Sequence, residues 1–258
     1  MKKTVLIIIP TYNEKDNINE ILSKVFAEQN NLDEHLLHVL IVDDNSPDGT
    51  AAVVNSLMKV TYRDKLFILN RPGKLGLGTA YITGFKWALK ANYDLIFEMD
   101  ADLSHDPKYL PEFLKKSEKA DLVLGTRYMP GGGVVNWGKH RILISKGGNI
   151  YSKLILGLPY RDLTGGYKCF SNKVLRTLDL DNIMSNGYAF QIELTYRTHL
   201  LGYSIKETPI VFHDRIAGKS KLSNTVFSEA VKNIILLRLQ KKRLPKKKKV
   251  NTKFVTVS

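Results

Sequence analysis

Short apolar runs rich in β-branched residues recur through the first half of the chain, at residues 5–9, 37–42, 66–69, 95–99 and 122–124. Mostly apolar stretches of three to six residues, interrupted only by His38 and Glu98, suit strands covered on both faces, as in a parallel sheet. Between the runs, residues 16–27, 50–59, 79–91 and 107–119 carry helical spacing, each long enough for a right-handed crossover. The alternation predicts an α/β fold: an open, mostly parallel sheet with helices on both faces. Such sheets bind ligands beyond the carboxyl ends of their strands. Three polar clusters fall there: Pro10-Thr11-Tyr12-Asn13-Glu14, Asp43-Asp44-Asn45-Ser46 and Asp100-Ala101-Asp102.

Past Arg127 the pattern changes. A glycine-rich loop, Gly131-Gly132-Gly133, leads into a basic amphipathic stretch at 140–156 and then Asp162-Leu163-Thr164-Gly165-Gly166. A helix at 188–201 and a strand at 204–212 follow, then a polar segment from His213 to Lys221 that reads as a mobile basic loop. The last helix, 225–240, places Val226, Phe227, Ala230, Val231, Ile234, Ile235 and Leu237 mostly on one broad face. The chain thus divides into a main α/β domain at 1–224, an amphipathic helix at 225–240 suited to an interface and a basic tail at 241–258, expected to be disordered.

At 258 residues and 43% hydrophobic content the chain can bury a full core, which excludes a disordered reading for most of it. No stretch has the roughly twenty apolar residues a membrane-spanning helix needs, and the run after Met1-Lys2-Lys3-Thr4 is too short for a signal peptide. The one cysteine, Cys169, excludes an internal disulfide and reads as core. Nine cations without an acid between Arg238 and Lys253 supply most of the net charge of +14. A tail of this kind suits an anionic membrane or nucleic acid. The nucleic-acid reading lacks the interleaved aromatics of a stacking surface.

Asp100 and Asp102 carry the sharpest chemistry. Two carboxylates one residue apart at a strand end can turn toward one hard cation, leaving positions for water and substrate phosphates. The plainer reading is an acidic turn in which Asp106 caps the helix that Pro107 starts. Gly76-Leu77-Gly78-Thr79-Ala80-Tyr81 fails as a dinucleotide fingerprint, since its sixth position is Tyr81 and it follows the third strand. It reads instead as a helix start with close backbone approach. The segment from Asp44 opens like a calcium loop, but its twelfth position is Asn55. No P-loop lysine, H-E-x-x-H or G-x-S-x-G occurs, which removes most support for hydrolase and ATPase readings.

In order, Pro10-Thr11-Tyr12-Asn13-Glu14, Asp43 to Thr50, Lys74 to Tyr81, Met99 to His105, Gly125-Thr126-Arg127-Tyr128, Asp162 to Gly166, Gly187-Tyr188-Ala189-Phe190-Gln191 and Arg215 to Lys221 resemble the polyprenol-phosphate (dolichol-phosphate) mannose synthases of glycosyltransferase family 2. The resemblance implies a GT-A fold and inverting transfer of mannose from GDP-mannose to a polyprenyl phosphate. It implies base and ribose contacts at Pro10, Tyr12, Glu14, Val42 and Asp44, and a donor segment at Asp100, Ala101 and Asp102. Asp100 and Asp102 would hold Mg²⁺ or Mn²⁺, while Ser104 stands where some relatives carry a metal-touching Gln. Asp102, Arg127 and Arg141 are the implied catalytic residues. The two arginines receive the lipid phosphate, and Arg127 is also counted among the donor contacts. Arg215 and Lys221 belong to a loop closing over the donor diphosphate, with Gly218 as hinge. An acceptor that is already an anion needs little help from a general base.

The sugar itself is not visibly encoded, so a UDP-glucose-dependent enzyme with a similar acceptor is the alternative. The terminal helix and the cations after it suit peripheral docking on the cytoplasmic side of an anionic membrane, at roughly 1 kcal/mol for each cation near the surface. A membrane-anchoring subunit is a second route to the same place.

Overall fold

The computed structural model describes residues 2–185, 187–214 and 224–242, with side chains of the last segment described from Val231 to Lys241. Most of the basic tail and the loop holding Arg215 and Lys221 lie outside the described residues, as do the side chains of Val226, Phe227 and Ala230.

The five early strands form where the apolar runs fall: β1 (Lys3–Thr11), β2 (His35–Asp43), β3 (Leu66–Asn70), β4 (Leu95–Glu98) and β5 (Leu122–Thr126). Between them lie α1 (Lys15–Ala27), α2 (Thr50–Val60), α3 (Leu77–Lys90) and α4 (Leu110–Ser117). A 3-10 turn, Pro107–Tyr109, precedes α4, and Asp106 caps it by accepting from the Lys108 amide at 3.0 Å. The second half adds β6 (Gly133–Val135), α5 (Lys139–Leu156), β7 (Lys168–Ser171), α6 (Asn172–Thr177), α7 (Gly187–Leu200), β8 (Ile205–Pro209), β9 (Val211–His213) and α8 (Asn224–Leu239).

Seven strands make the main sheet in the order β3-β2-β1-β4-β7-β5-β8, and only β7 runs antiparallel. Chain order reverses between β1 and β4, so the loops after these strands part to leave a crevice. Alternation along the strands feeds two cores. Val5, Ile7 and Ile9 of β1 pack with α1, α2 and α4, whereas Leu6 and Ile8 pack with α3, α6 and α7. A third cluster joins α5, α7 and α8 through Leu156, Ile192, Tyr196, Ile234 and Leu237. Helix α3 lies close to the sheet: a Cβ on Gly84 would stand 2.7 Å from Ile8 Cγ2, so only glycine fits without a shift.

The structure corrects one expectation. Residues 204–212 are not one strand but two, in different sheets. Pro209 has no amide hydrogen to continue a ladder, and at Ile210 the chain changes partners. The Ile210 amide donates to Thr126 O at 3.1 Å, while its carbonyl accepts from Gly133 N at 3.0 Å. Strand β9 then pairs with β6 in a separate two-stranded sheet. Cys169 is buried in the core, as expected.

Candidate active site

The loops after β1 and β2 are clamped together by the buried Asp43 and the half-buried Asp48. Asp43 accepts from Thr11 Oγ1 at 2.8 Å, Ser46 N at 2.9 Å and Ser46 Oγ at 2.6 Å, and Ser46 Oγ in turn accepts from Asn13 N at 3.0 Å. Asp48 accepts from Lys15 N and Thr50 N, and Thr50 Oγ1 accepts from Glu14 N. Asn13 and Asn45 take left-handed φ values of 60° and 57°, which asparagine tolerates. Leu103, beside the paired aspartates, has a φ of 64°, an unusual angle for leucine held by the fold around it.

This frame presents Tyr12, Glu14 and Asp44 to a cleft of about 420 Å³. Val42 does not reach it: its side chain is fully buried behind the wall. Asp44 pairs with Arg71 at 3.1 Å and accepts from Leu75 N at 3.3 Å. Burial lifts the Asp44 carboxyl above its ordinary pKa, against the pull of Arg71. Arg71 also donates to Thr79 Oγ1 at 2.7 Å, tying β3 to the start of α3. Lys74 stands 4.5 Å from the centre of the Tyr12 ring, a cation over an aromatic face at the mouth of the cleft. Gly76, with a φ of 99°, lines the cleft just ahead of α3.

Asp100, Ala101 and Asp102 line the middle of the cleft. Tyr81 donates to Asp100 Oδ1 at 3.3 Å, and Asp102 Oδ1 accepts from Ser104 N at 3.1 Å. Burial first, and then the charge of Asp100, keep the Tyr81 hydroxyl protonated and therefore a donor. His105 Nδ1 accepts from Asp100 N at 3.0 Å, which puts the ring proton on Nε2. Burial lowers the His105 pKa despite the neighbouring aspartates, and the ring is wedged between Tyr167 at 4.9 Å and Phe212 at 5.5 Å. A neutral His105 orients the aspartate loop without adding charge. Two carboxylates braced in this way form a hard oxygen donor set that fits Mg²⁺ or Mn²⁺, with coordination positions left for phosphate and water. Among the described residues no cluster of three or more His, Cys, Asp or Glu surrounds the position.

Behind the aspartates lie two buried titratable side chains that sequence reasoning missed. Glu98 and Lys168 are register partners across β4 and β7. Burial raises the Glu98 pKa to about 8 and lowers that of Lys168 to about 8, each opposed by the other's charge. Lys168 Nζ donates to Gln191 O at 2.5 Å and Thr195 Oγ1 at 3.0 Å. The Gln191 side-chain amide is near enough to favour the Glu98 charge, yet no well-formed hydrogen bond joins them. Both of its polar atoms are buried without a partner, a condition that costs about 1–3 kcal/mol for each group.

Arg127 and Arg141 come together at the far end, among aromatic rings. Arg127 binds Asp162 twice, Nε to Oδ2 at 2.7 Å and Nη2 to Oδ1 at 2.9 Å, and also reaches Thr164 Oγ1 at 2.6 Å. Arg141 Nη1 donates to Asp214 Oδ1 at 2.6 Å, and its guanidinium lies 4.0 Å from the centre of the Trp137 ring. Two buried donors here, Arg141 Nε and Trp137 Nε1, have no hydrogen-bond partner. Trp137, Asp162 and Lys74 were not singled out from the sequence as site residues. The cleft ends against Ile192, Val231 and Ile234, where α7 and α8 meet. Arg215 and Lys221 lie outside the described residues.

A doubly covered α/β sheet with paired aspartates beside its switch point defines a glycosyltransferase of the GT-A fold. The chain belongs to Glycosyl transferase family 2, whose profile matches residues 6–179. It is 44% identical over 230 residues to undecaprenyl-phosphate mannosyltransferase of Micrococcus luteus, spanning 89% of this chain and 92% of that protein. To polyprenol monophosphomannose synthase of Mycolicibacterium smegmatis it is 42% identical over 227 residues, 88% of this chain and 83% of that protein. Among solved structures, glucosyl-3-phosphoglycerate synthase of Mycobacterium tuberculosis, in complex with Mn²⁺, UDP and glucosyl-3-phosphoglycerate, superposes with a TM-score of 0.64 at 15% identity. That superposition covers 94% of this chain and 81% of that one.

Proposed function

We propose that the protein transfers mannose from GDP-mannose to a polyprenyl phosphate, with inversion at the anomeric carbon. The observation that carries this reading is the continuity of one cleft from Tyr12 and Glu14, past Asp100 and Asp102, to Arg141 and Trp137, and on to the apolar end at Ile192 and Ile234. Each stretch suits one part of the reaction. Tyr12 offers a flat face to a base, and Glu14 and Asp44 can accept from base or ribose donors. A divalent cation held by Asp100 and Asp102 would draw charge from the leaving diphosphate as a Lewis acid. The unmet donors Arg141 Nε and Trp137 Nε1 suit a ligand that only accepts, and a phosphate is such a group. The apolar end suits the first units of a lipid chain. An anionic acceptor phosphate attacks opposite the leaving group without a general base, and the described cleft accordingly relies on arginines at that end. The names of the two mannosyltransferase relatives support the same donor sugar and acceptor class.

Peripheral attachment to the cytoplasmic face of a membrane belongs to this reading. No helix among the described residues is long and apolar enough to cross a membrane. Helix α5 instead exposes Leu143, Ile150 and Leu154 in one stripe, flanked by Lys139 and Lys146 and free of acids along its length. Leu239 of α8 is exposed as well, at 72%. Apolar side chains ringed by lysines suit an anionic lipid surface, and they stand on the two helices that flank the apolar end of the cleft. The basic tail would add to this attraction.

Purified protein given radiolabelled GDP-mannose or UDP-glucose, with polyprenyl phosphate and Mn²⁺, tests the proposal. Label is expected in the lipid fraction from GDP-mannose. Lipid label from UDP-glucose alone would overturn the donor, and none from either would overturn the acceptor.

A further inference from the structure

Gln191 is 4% exposed, lines the cleft, and leaves both Nε2 and Oε1 without partners. Its backbone carbonyl is bonded to Lys168, so the helix is fixed while the amide is left unmet. The approach from the cleft is kept open by Gly166. A Cβ at Gly166 would lie 3.6 Å from Gln191 Nε2 and 3.4 Å from His105 Cε1, and His105 is bonded to the Asp100 amide. Gln191 and the paired aspartates thus line one cleft, with the Gly166 face and the His105 ring between them.

The chemistry of the missing ligand follows from having both ends unmet. A group that completes Gln191 must accept from Nε2 and donate to Oε1. A phosphate oxygen only accepts, so it would satisfy Nε2 and leave Oε1 unmet. A hydroxyl does both. We propose that Gln191 binds a ring hydroxyl of the donor's hexosyl group and so helps to determine which sugar is used. The assignment rests on the cleft being a nucleotide-sugar site.

The test measures binding of GDP and of GDP-mannose, each with Mn²⁺, to the full-length wild type and to Gln191→Leu by calorimetry, with UDP and UDP-glucose as a parallel pair. The variant is expected to bind the free diphosphate within twofold of wild type and the sugar nucleotide about tenfold more weakly. Its thermal midpoint is expected to equal or exceed that of wild type, because an unmet amide has been replaced by an apolar group. Unchanged sugar-nucleotide binding, or an equal loss for both nucleotides with a lowered midpoint, would overturn the role of Gln191 and leave the nucleotide-sugar reading standing. A wild type that binds no sugar nucleotide of either base would overturn both.

Discussion

Arg127 and Asp162 are locked together by a two-pronged buried ion pair, and the same carboxylate also accepts from the Arg127 amide at 3.1 Å. Burial pushes the Asp162 carboxyl up, but Arg127's charge and hydrogen bonds, with help from Thr164, outweigh it and leave the pKa below the ordinary 3.8. A depressed carboxylate stabilises the fold above its unfolded pKa, and this contribution is lost as pH falls through the folded value. Asp162→Asn strands a buried guanidinium and is expected to cost about 3 kcal/mol at pH 7. Urea denaturation should show the gap between wild type and variant narrowing below about pH 4; a gap that is constant with pH would contradict the pairing.

Arg141 is less committed to the fold, since its side chain is 19% exposed and its ion-pair partner Asp214 is 28% exposed. Arg141→Ala is expected to leave the denaturation midpoint nearly unchanged. It should lower kcat/KM for the lipid acceptor by roughly 2 kcal/mol, about thirtyfold, the scale of a lost charged phosphate contact. Steady-state kinetics with each substrate varied in turn checks this, and an equal rise in KM for the donor would place Arg141 elsewhere in the reaction.

Asp102→Ala is expected to abolish transfer while the circular dichroism spectrum stays that of wild type. Manganese should then no longer raise the thermal midpoint in the presence of GDP, because ligand binding stabilises only the form that binds. Retained metal-dependent turnover would remove Asp102 from the donor set.

Replacing Leu143, Ile150 and Leu154 together by serine touches only exposed positions. The triple variant is expected to keep its fold and its turnover of a short-chain, soluble acceptor, while its sedimentation with anionic liposomes falls severalfold and becomes more sensitive to salt. Unaltered co-sedimentation would clear α5 of a docking role.

The early strands were legible because burial on both faces leaves no polar position in a run such as Val5-Leu6-Ile7-Ile8-Ile9. Strand β7 was hidden by Lys168, a buried cation at the start of a four-residue strand whose register partner Glu98 lies 70 residues earlier in sequence. Glu98 itself was a usable signal: a carboxylate inside the apolar run of β4 has to find a partner once buried. The acids Glu14, Asp44, Asp100 and Asp102 were readable because strand ends collect them at one edge. Arg71, Trp137 and Gln191 were not. Their roles arise from contacts that only the folded chain creates, such as the Trp137 ring under Arg141 or the open face of Gly166 beside Gln191.

The small ribbon of β6 and β9 has one more implication. It positions Trp137 and Phe212, whose rings meet at 5.4 Å and surround the two arginines, while the aspartates and the Tyr12 loop hang from the large sheet. Phe212 also packs on His105, which is bonded to the Asp100 amide, so the ribbon touches the aspartate loop as well as the arginines. A substitution that shifts the ribbon therefore reaches both ends of the cleft at once.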